Sequence, residues 1–133
     1  MPRIFRVMKR GEDGAPVVGS AFGELGVRPG NDIVVDAEDH VTPATGGMSV
    51  NPDVAAIPPS ILPKRYKPFG MGKNNCSVYE HGDGPFEQGR VAADLRLVPD
   101  HSKHGTVQPD VVMPISAYQA ALAATRDGWR ELP

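Results

Sequence analysis

Short runs of strand-forming residues, separated by turn residues, dominate the hydrophobic pattern of the chain. The runs that predict strands cover residues 4–8, 32–36, 48–50, 77–80, 95–98, 105–108 and 111–113. In the first run, alternation places Ile4, Arg6 and Met8 on one face and Phe5 and Val7 on the other. An arginine inside a short apolar strand indicates either an edge strand with Arg6 in solvent or an arginine kept for function.

The C-terminal part of the chain carries the clearest helical pattern. Its apolar face recurs at helical spacing through Tyr118, Leu122, Thr125 and Trp129. Ser116 and Gln119 have the spacing of a capping box, in which each side chain accepts a main-chain N–H of the first turn. The pattern predicts a helix of roughly 10–14 residues that packs one face on a sheet and ends near Gly128. A shorter helical turn is expected over 20–25, before Gly26.

Strands and helices do not alternate along the chain, which argues against a doubly wound parallel sheet. We therefore expect one α+β domain over 1–133, with a compact mixed β core of short strands, long Pro/Gly-rich loops and one C-terminal helix. Residues 51–73 carry Pro52, Pro58, Pro59, Pro63 and Pro68. Neither a regular helix nor a central strand tolerates that density of proline, and a loop of this length is often a binding loop.

Composition excludes several classes of protein. The formal net charge of −2 provides no bulk attraction for nucleic acid or anionic lipid. A single cysteine, Cys76, cannot form an internal disulfide, and no apolar run approaches the roughly 20 residues of a membrane span. The N-terminal residues lack the apolar stretch of a secretory signal peptide. We expect a cytoplasmic protein that reaches another cell only through a dedicated secretion machine.

Known catalytic and metal-binding motifs are few. The chain has no Gly-x-Ser-x-Gly elbow, no Walker A motif and no His-Glu-x-x-His motif. His101 and His104, with Asp100 or Asp110, offer metal-ligand chemistry. Their segment contains proline and glycine and is not helical, so the two imidazoles are not held on one helix face. No metal site is predicted.

Two segments carry more informative chemistry. In Thr45-Gly46-Gly47-Met48-Ser49-Val50, the two glycines allow the backbone to approach a ligand closely, and the strand presents Met48 and Ser49 to opposite faces. Downstream, His104, Thr106 and Gln108 lie on one face of a short strand.

The proline-rich loop is locally basic. Tyr66 and Phe69 are interleaved with its cations, which are Lys64, Arg65, Lys67 and Lys73. Such a loop suits a dinucleotide or the acidic surface of a partner protein, and a solvated basic loop is the alternative.

The order of Phe5-Arg6-Val7, Thr45–Val50 and His104–Pro109 before a final helix resembles the small type VI secretion effectors with an ADP-ribosyltransferase-like fold. The resemblance implies a bacterial toxin domain that uses NAD in ADP-ribosyl transfer or NAD cleavage, in a cleft between two small sheets. A cognate immunity protein and an unnamed acceptor are the partners it implies.

The same resemblance assigns roles to individual residues. Arg6 would bind the pyrophosphate or ribose through its bidentate guanidinium, next to a dinucleotide-binding segment. That segment consists of Gly46, Gly47 and Met48. Ser49 would bond the nicotinamide ribose or position Arg6, and His104 and Gln108 would line the third wall. Relatives commonly carry Glu or Gln in this third motif. Gln108 cannot act as a carboxylate, and Glu80 is the substitute that the sequence offers.

Two other functions fit the same residues. A non-catalytic protein-binding module, of the immunity or adaptor type, would use the proline-rich basic loop. A small nuclease would use His104 as a base together with Lys73.

Overall fold

The computed structural model describes residues 1–66 and 68–133. Its strands, in chain order, are β1 (Ile4–Lys9), β2 (His40–Val41), β3 (Met48–Val50), β4 (Cys76–His81), β5 (Gly89–Ala92), β6 (Leu95–His101), β7 (His104–Pro109), β8 (Met113–Pro114) and β9 (Arg130–Glu131). One α-helix lies within the described residues, α1 (Ile115–Ala123), and 3-10 helices cover Val54–Ala56 and Arg126–Gly128. The predicted α+β class, with short strands and a C-terminal helix, is confirmed.

The strands form three antiparallel sheets. A three-stranded sheet has the order β1-β4-β9, a four-stranded sheet has the order β3-β7-β6-β5, and β2 pairs with β8. The two larger sheets meet where Phe5 and Asn51 exchange main-chain hydrogen bonds of 2.8 and 2.9 Å. Strands β1 and β3 therefore lie side by side at the junction of the two sheets.

The alternation predicted for β1 explains how it joins two hydrophobic cores. Ile4 and Met8 are fully buried in the larger core, whereas Phe5 packs in the smaller one with Val7 at its border. Arg6 shares the face of Ile4 and Met8. Strand β1 is an outer strand of its sheet, but both of its faces are covered, so Arg6 is half-buried and does not lie in solvent.

Helix α1 closes the larger core. Tyr118 and Leu122 are fully buried, and Thr125 and Trp129 are buried beyond the helix end, as the spacing predicted. Tyr118 also ties two strands together, because its hydroxyl donates to the oxygen of Val107 at 2.5 Å and accepts from the N–H of Met48 at 3.2 Å. The helix is nine residues long, slightly shorter than predicted.

The predicted capping box is wrong. The N-cap is Pro114, and no side chain bonds the first turn. Gln119 instead bonds both main-chain groups of Val27, accepting from its N–H at 3.1 Å and donating to its oxygen at 2.7 Å. The side chain thus fastens a loop to the helix and is not available as a cap.

Two other predicted elements are absent from the structure. Where a strand was predicted over residues 32–36, the structure has only isolated bridges at Ile33, to Pro29 and to Gly46, and Val34 is exposed. Residues 20–25 form a turn without helical structure. The strand at 95–98 extends instead to His101, through Pro99.

None of the helices in the described ranges has the length and apolar character needed to cross a bilayer.

Candidate functional site

A cavity of about 660 Å³ opens at the junction of the two large sheets, a volume typical of small-molecule sites. We call it the Arg6 cavity. Strand β1 contributes Arg6, β3 contributes Ser49, and β7 contributes His104. Loop residues complete its walls, among them Phe22, Arg28, Asp32, Met71 and Lys73. Arg6, Ser49 and His104 are far apart in the sequence, and the fold brings them to one cavity.

Arg6 holds its guanidinium against two main-chain oxygens. Its Nη1 donates to Ser49 at 2.8 Å, and its Nη2 donates to Glu24 at 3.0 Å. Burial lowers the pKa of Arg6 to about 10, and the carboxylate of Asp32 opposes that shift. The buried Nε has no hydrogen-bond partner among the described residues. At neutral pH the group is therefore a cation, and among the described residues only two of its five N–H donors are paired.

The segment before Val27 gives Arg6 its second acceptor. The N–H of Lys9 donates to the oxygen of Gly23 at 2.6 Å, which lays residues 23–25 beside β1. The Glu24 side chain accepts from the N–H of Ala21 at 3.1 Å and pairs with Lys9 at 3.2 Å. Because both ends of the turn are fixed in this way, the Glu24 oxygen is held in reach of the guanidinium.

Positive charge prevails in the Arg6 cavity. Its walls carry one carboxylate, Asp32, and four cations, which are Arg6, Lys9, Arg28 and Lys73. Glu24 pairs with Lys9 at 3.2 Å, and Asp32 pairs with Arg28 at 3.0 Å. In the described part of the chain, no carboxylate lies within 4.0 Å of the Arg6 guanidinium. The cavity is therefore suited to an anion.

Ser49 reaches the cavity through strand alternation. Met48 and Val50 point into the core, whereas Ser49 is exposed and lies opposite Thr106 of β7. The main-chain oxygen of Ser49, and not its hydroxyl, holds Arg6. Among the described residues the hydroxyl makes no hydrogen bond, so it is open to a ligand.

His104 is paired with Asp100 across the β6–β7 turn. The Nδ1 atom of His104 lies 2.8 and 2.9 Å from the two carboxylate oxygens. Partial desolvation raises the pKa of Asp100, but the hydrogen bond and charge of His104 outweigh it and hold that pKa below its ordinary value. The imidazole is about a third exposed, at 31%, so it meets both the cavity and solvent.

Gln108 lies outside the walls of the Arg6 cavity. Its side chain is buried, its amide donates to the Thr106 hydroxyl at 2.9 Å, and its oxygen accepts from the N–H of Ala44 at 2.9 Å. The amide therefore braces the loop before β3, and no polar atom is left for a ligand in the cavity.

The dinucleotide-binding segment predicted at 46–48 also lies outside the cavity walls. Met48 is buried in the core. Gly46 has φ +123°, and a Cβ there would lie 2.2 Å from the oxygen of Asp32. A Cβ on Gly47 would lie 2.4 Å from the oxygen of Val107. The glycines thus permit close approach of protein backbone.

Glu80 cannot substitute for a carboxylate beside Arg6. It pairs in register with Phe5, so it lies on the opposite face of the sheet from Arg6. Its carboxylate bonds Arg3 at 2.7 Å and Arg130 at 3.4 Å, and the Arg3 hydrogen bond lowers the pKa of Glu80.

The proline-rich basic loop forms part of one wall. Met71 and Lys73 line the Arg6 cavity, which places Lys73 in the same cavity as His104. Arg65 instead donates to the Ser77 hydroxyl at 2.5 Å, and Tyr66 donates to the oxygen of Leu132 at 2.8 Å. Lys67 lies outside the described residues.

Sequence reasoning missed several residues of the site. Asp32 was predicted to begin a strand, and its ion pair with Arg28 was not predicted. Phe22 lines the cavity while 63% exposed, with the Arg28 guanidinium 5.7 Å from its ring centre. Asp100 was considered only as a metal ligand.

Comparisons with protein family models, with curated proteins and with solved structures gave no match. The function is therefore inferred from the chemistry of the cavity.

Proposed function

We propose that the chain is a toxin-like bacterial domain that binds NAD in the Arg6 cavity and cleaves its bond to nicotinamide, by ADP-ribosyl transfer or by hydrolysis. The observation that carries the proposal is the Arg6 guanidinium. It is charged, desolvated, without a carboxylate partner in the described chain, and exposed to a cavity with the volume of a ligand site. A pyrophosphate supplies the missing negative charge, and arginine binds it through two donors.

The remaining walls suit the other parts of a dinucleotide. Ser49 presents a free hydroxyl for a ribose. Phe22 and Met71 are 63% and 69% exposed at the cavity and offer apolar contacts for an adenine or nicotinamide ring. The walls come from both large sheets, which supports an ADP-ribosyltransferase-like arrangement with the cleft between two sheets.

The chemistry requires little covalent help from the protein. Departure of nicotinamide leaves an oxocarbenium-like ribose, and positioning together with electrostatic stabilisation supplies most of the rate. Arg6 would hold the pyrophosphate, Ser49 would hold the nicotinamide ribose, and His104 would stand beside the reacting carbon. Because Gln108 and Glu80 both lie elsewhere, the proposed reaction uses no glutamate.

A nicotinamide-release assay tests this function. Purified protein incubated with NAD is expected to release nicotinamide, and Arg6→Ala and His104→Ala are expected to lose most of that activity while retaining the wild-type circular dichroism spectrum. Arg90→Ala is the matched control, because Arg90 is an exposed arginine of β5 outside the cavity. Absence of nicotinamide release from the wild-type protein, with any acceptor protein supplied, would contradict the proposal.

Toxicity provides an independent readout in cells. Expression in a bacterial host is expected to arrest growth, and Arg6→Ala and His104→Ala are expected to relieve the arrest at equal protein levels. A cognate immunity protein, the partner that a toxin of this kind implies, would restore growth when expressed together with the wild-type chain. Equal toxicity of the wild type and both variants would contradict an activity located in the Arg6 cavity.

A non-catalytic binding module is the second candidate. Phe69 and Met71 of the proline-rich loop are 70% and 69% exposed, and Lys73 lies next to them, which suits docking of an acidic partner protein. This function predicts a stable complex and no nicotinamide release, so the same assay separates the two candidates.

A further inference from the structure

Asp100 controls which nitrogen of His104 carries a proton. The carboxylate has only acceptor oxygens, and both lie within 2.9 Å of the His104 Nδ1 atom. Nδ1 must therefore be the protonated nitrogen of the neutral ring. The Nε2 atom then carries a lone pair, which is the form in which an imidazole accepts a proton.

The strand register holds this pair in place. Pro99 pairs with Gly105, but His101 pairs with His104, so an irregularity between Pro99 and His101 places Asp100 and His101 together opposite His104. Such bulges commonly redirect a side chain next to an active site. The result is an Asp–His pair at the edge of the Arg6 cavity.

A metal site is the competing interpretation of the same side chains. The potential ligand atoms of Asp100, His101 and His104 lie within 4.8 Å of one another. However, the Nδ1 of His101 accepts the N–H of Lys103 at 3.1 Å, so the proton of its neutral ring is on Nε2. The Nδ1 of His104 is already bonded to Asp100. The Nδ1 atoms of both histidines are thus engaged, and the lone pair that remains on His104 is on Nε2, where it can accept a proton.

We propose, on the basis of the NAD-using function above, that His104 is the general base for water and that Asp100 is its positioning residue. The C1′–N bond to nicotinamide breaks, and its electron pair leaves with neutral nicotinamide. The oxygen of water bonds to C1′, and one proton passes from that water to Nε2 of His104 and then to solvent. NAD and water thus give ADP-ribose, nicotinamide and one proton, and no other reactant is needed.

Kinetics of NAD hydrolysis test the pair. His104→Gln is expected to lower kcat by about 100-fold, the usual contribution of a general base, with KM nearly unchanged. Asp100→Asn is expected to lower kcat by on the order of 10-fold or more, and Asp100→Glu to recover part of the loss. Asp110→Asn is the matched control, because Asp110 is an exposed carboxylate at the far end of β7.

Azide distinguishes a catalytic role of His104 and Asp100 from a structural role. It attacks C1′ as an anion and needs no base, so azide is expected to restore product formation in His104→Gln and Asp100→Asn, as ADP-ribosyl azide. His101→Gln and EDTA are expected to leave kcat unchanged, whereas loss of activity with both would establish the metal site and overturn the proposal.

Different results would contradict the role of the Asp–His pair and the cleavage of NAD itself. If the wild type releases nicotinamide but Asp100→Asn keeps the wild-type kcat, or if azide restores nothing, the Asp–His pair is not the base and NAD cleavage stands. If the wild type releases no nicotinamide under any condition, the proposed function and this inference are both wrong.

Discussion

Arg6 of β1 donates a hydrogen bond of 2.8 Å from its guanidinium Nη1 to the main-chain oxygen of Ser49 in β3. The bond crosses the junction between the two large sheets, next to the hydrogen bonds that Phe5 exchanges with Asn51. The same guanidinium supplies the positive charge of the cavity. The charge that we expect to bind a dinucleotide is therefore positioned by the backbone of the neighbouring sheet.

The stability of an Arg6 variant tests whether this charge serves function more than folding. Burial lowers the pKa of Arg6 to about 10, which reflects a cost of about 3 kcal/mol for keeping the cation in this half-buried position. Each hydrogen bond from a charged donor contributes about 1.5–3 kcal/mol, so the two effects nearly cancel. Arg6→Met is expected to lower the free energy of unfolding in urea by only about 1–2 kcal/mol. A loss large enough to prevent folding would make Arg6 a structural residue.

The backbone of Asp32 passes close to Gly46, so any side chain at this position is expected to lower the stability of the protein strongly. Gly46→Ala places a Cβ at 2.2 Å from the oxygen of Asp32, at a φ of +123°. Gly30 also has positive φ, +80°, but a Cβ there meets no atom within 4 Å. Gly30→Ala is therefore expected to lower stability by about 1 kcal/mol from strain alone, and Gly46→Ala by at least about 2 kcal/mol more. Equal melting temperatures for the two variants would contradict the packing described here.

Gln108 is expected to affect stability without affecting binding. Gln108→Leu removes the amide that joins the Thr106 hydroxyl to the N–H of Ala44. A loss of about 0.5–1.5 kcal/mol in the free energy of unfolding is expected, together with an unchanged affinity for NAD. Weaker NAD binding by a fully folded Gln108→Leu protein would show that Gln108 contributes to the NAD site.

His81 predicts a loss of stability in mild acid. Burial, with smaller effects from Arg130 and the N-terminal amine, lowers the pKa of His81 below 6.5, and its Nδ1 is buried without a partner among the described residues. The unfolded chain therefore takes up a proton at this residue before the folded chain does. The contribution of His81 is fully present above pH 6.5 and decreases as the pH falls from there towards the folded pKa.

Urea unfolding at pH 7.5 and pH 5.0 measures this effect. Carboxylates with lowered pKa values, such as Glu80 and Glu131, lose their contribution only in stronger acid. The wild type is expected to lose more stability between these pH values than His81→Phe, whose ring can still pack against Trp129, which lies 5.2 Å from His81 between ring centres. An identical loss in both proteins would show that other groups cause it.

The pattern of hydrophobic residues correctly predicted the elements in which each face packs against a single core. The alternation of β1 reflects the burial of its two faces in two cores, and the spacing of Tyr118, Leu122 and Trp129 reflects burial in the larger core. The 32–36 run fails for a local reason. Asp32 closes a turn by bonding the main chain and the guanidinium of Arg28, and Asp36 accepts from the N–H groups of Glu38 and His40. These carboxylates hold the two ends in turns, so pairing with residues 45–47 is limited to an isolated bridge at Ile33.

The contacts of the candidate site likewise include some that strand alternation predicted and some that it did not. Alternation predicted that Ser49 points away from Met48 and that His104 shares a face with Gln108, and the Ser49 and His104 side chains line the cavity. The acceptor of Arg6 at Glu24 and the contact of Gln108 with Ala44 depend on loops from other parts of the chain. The pairing of Asp100 with His104 depends on the irregularity in the β6–β7 hairpin. Contacts of that kind leave no periodic signal in the sequence.

Calorimetric titration of the protein with NAD tests the central claim most directly. The wild type is expected to bind one NAD per chain, and Arg6→Met to bind it at least about 10-fold more weakly, which corresponds to loss of a charged hydrogen bond of about 1.5 kcal/mol or more. Arg90→Met, the control outside the cavity, is expected to bind as the wild type does. Absence of binding by the folded wild-type protein, or equal affinity of the wild type and Arg6→Met, would contradict an NAD site in the Arg6 cavity.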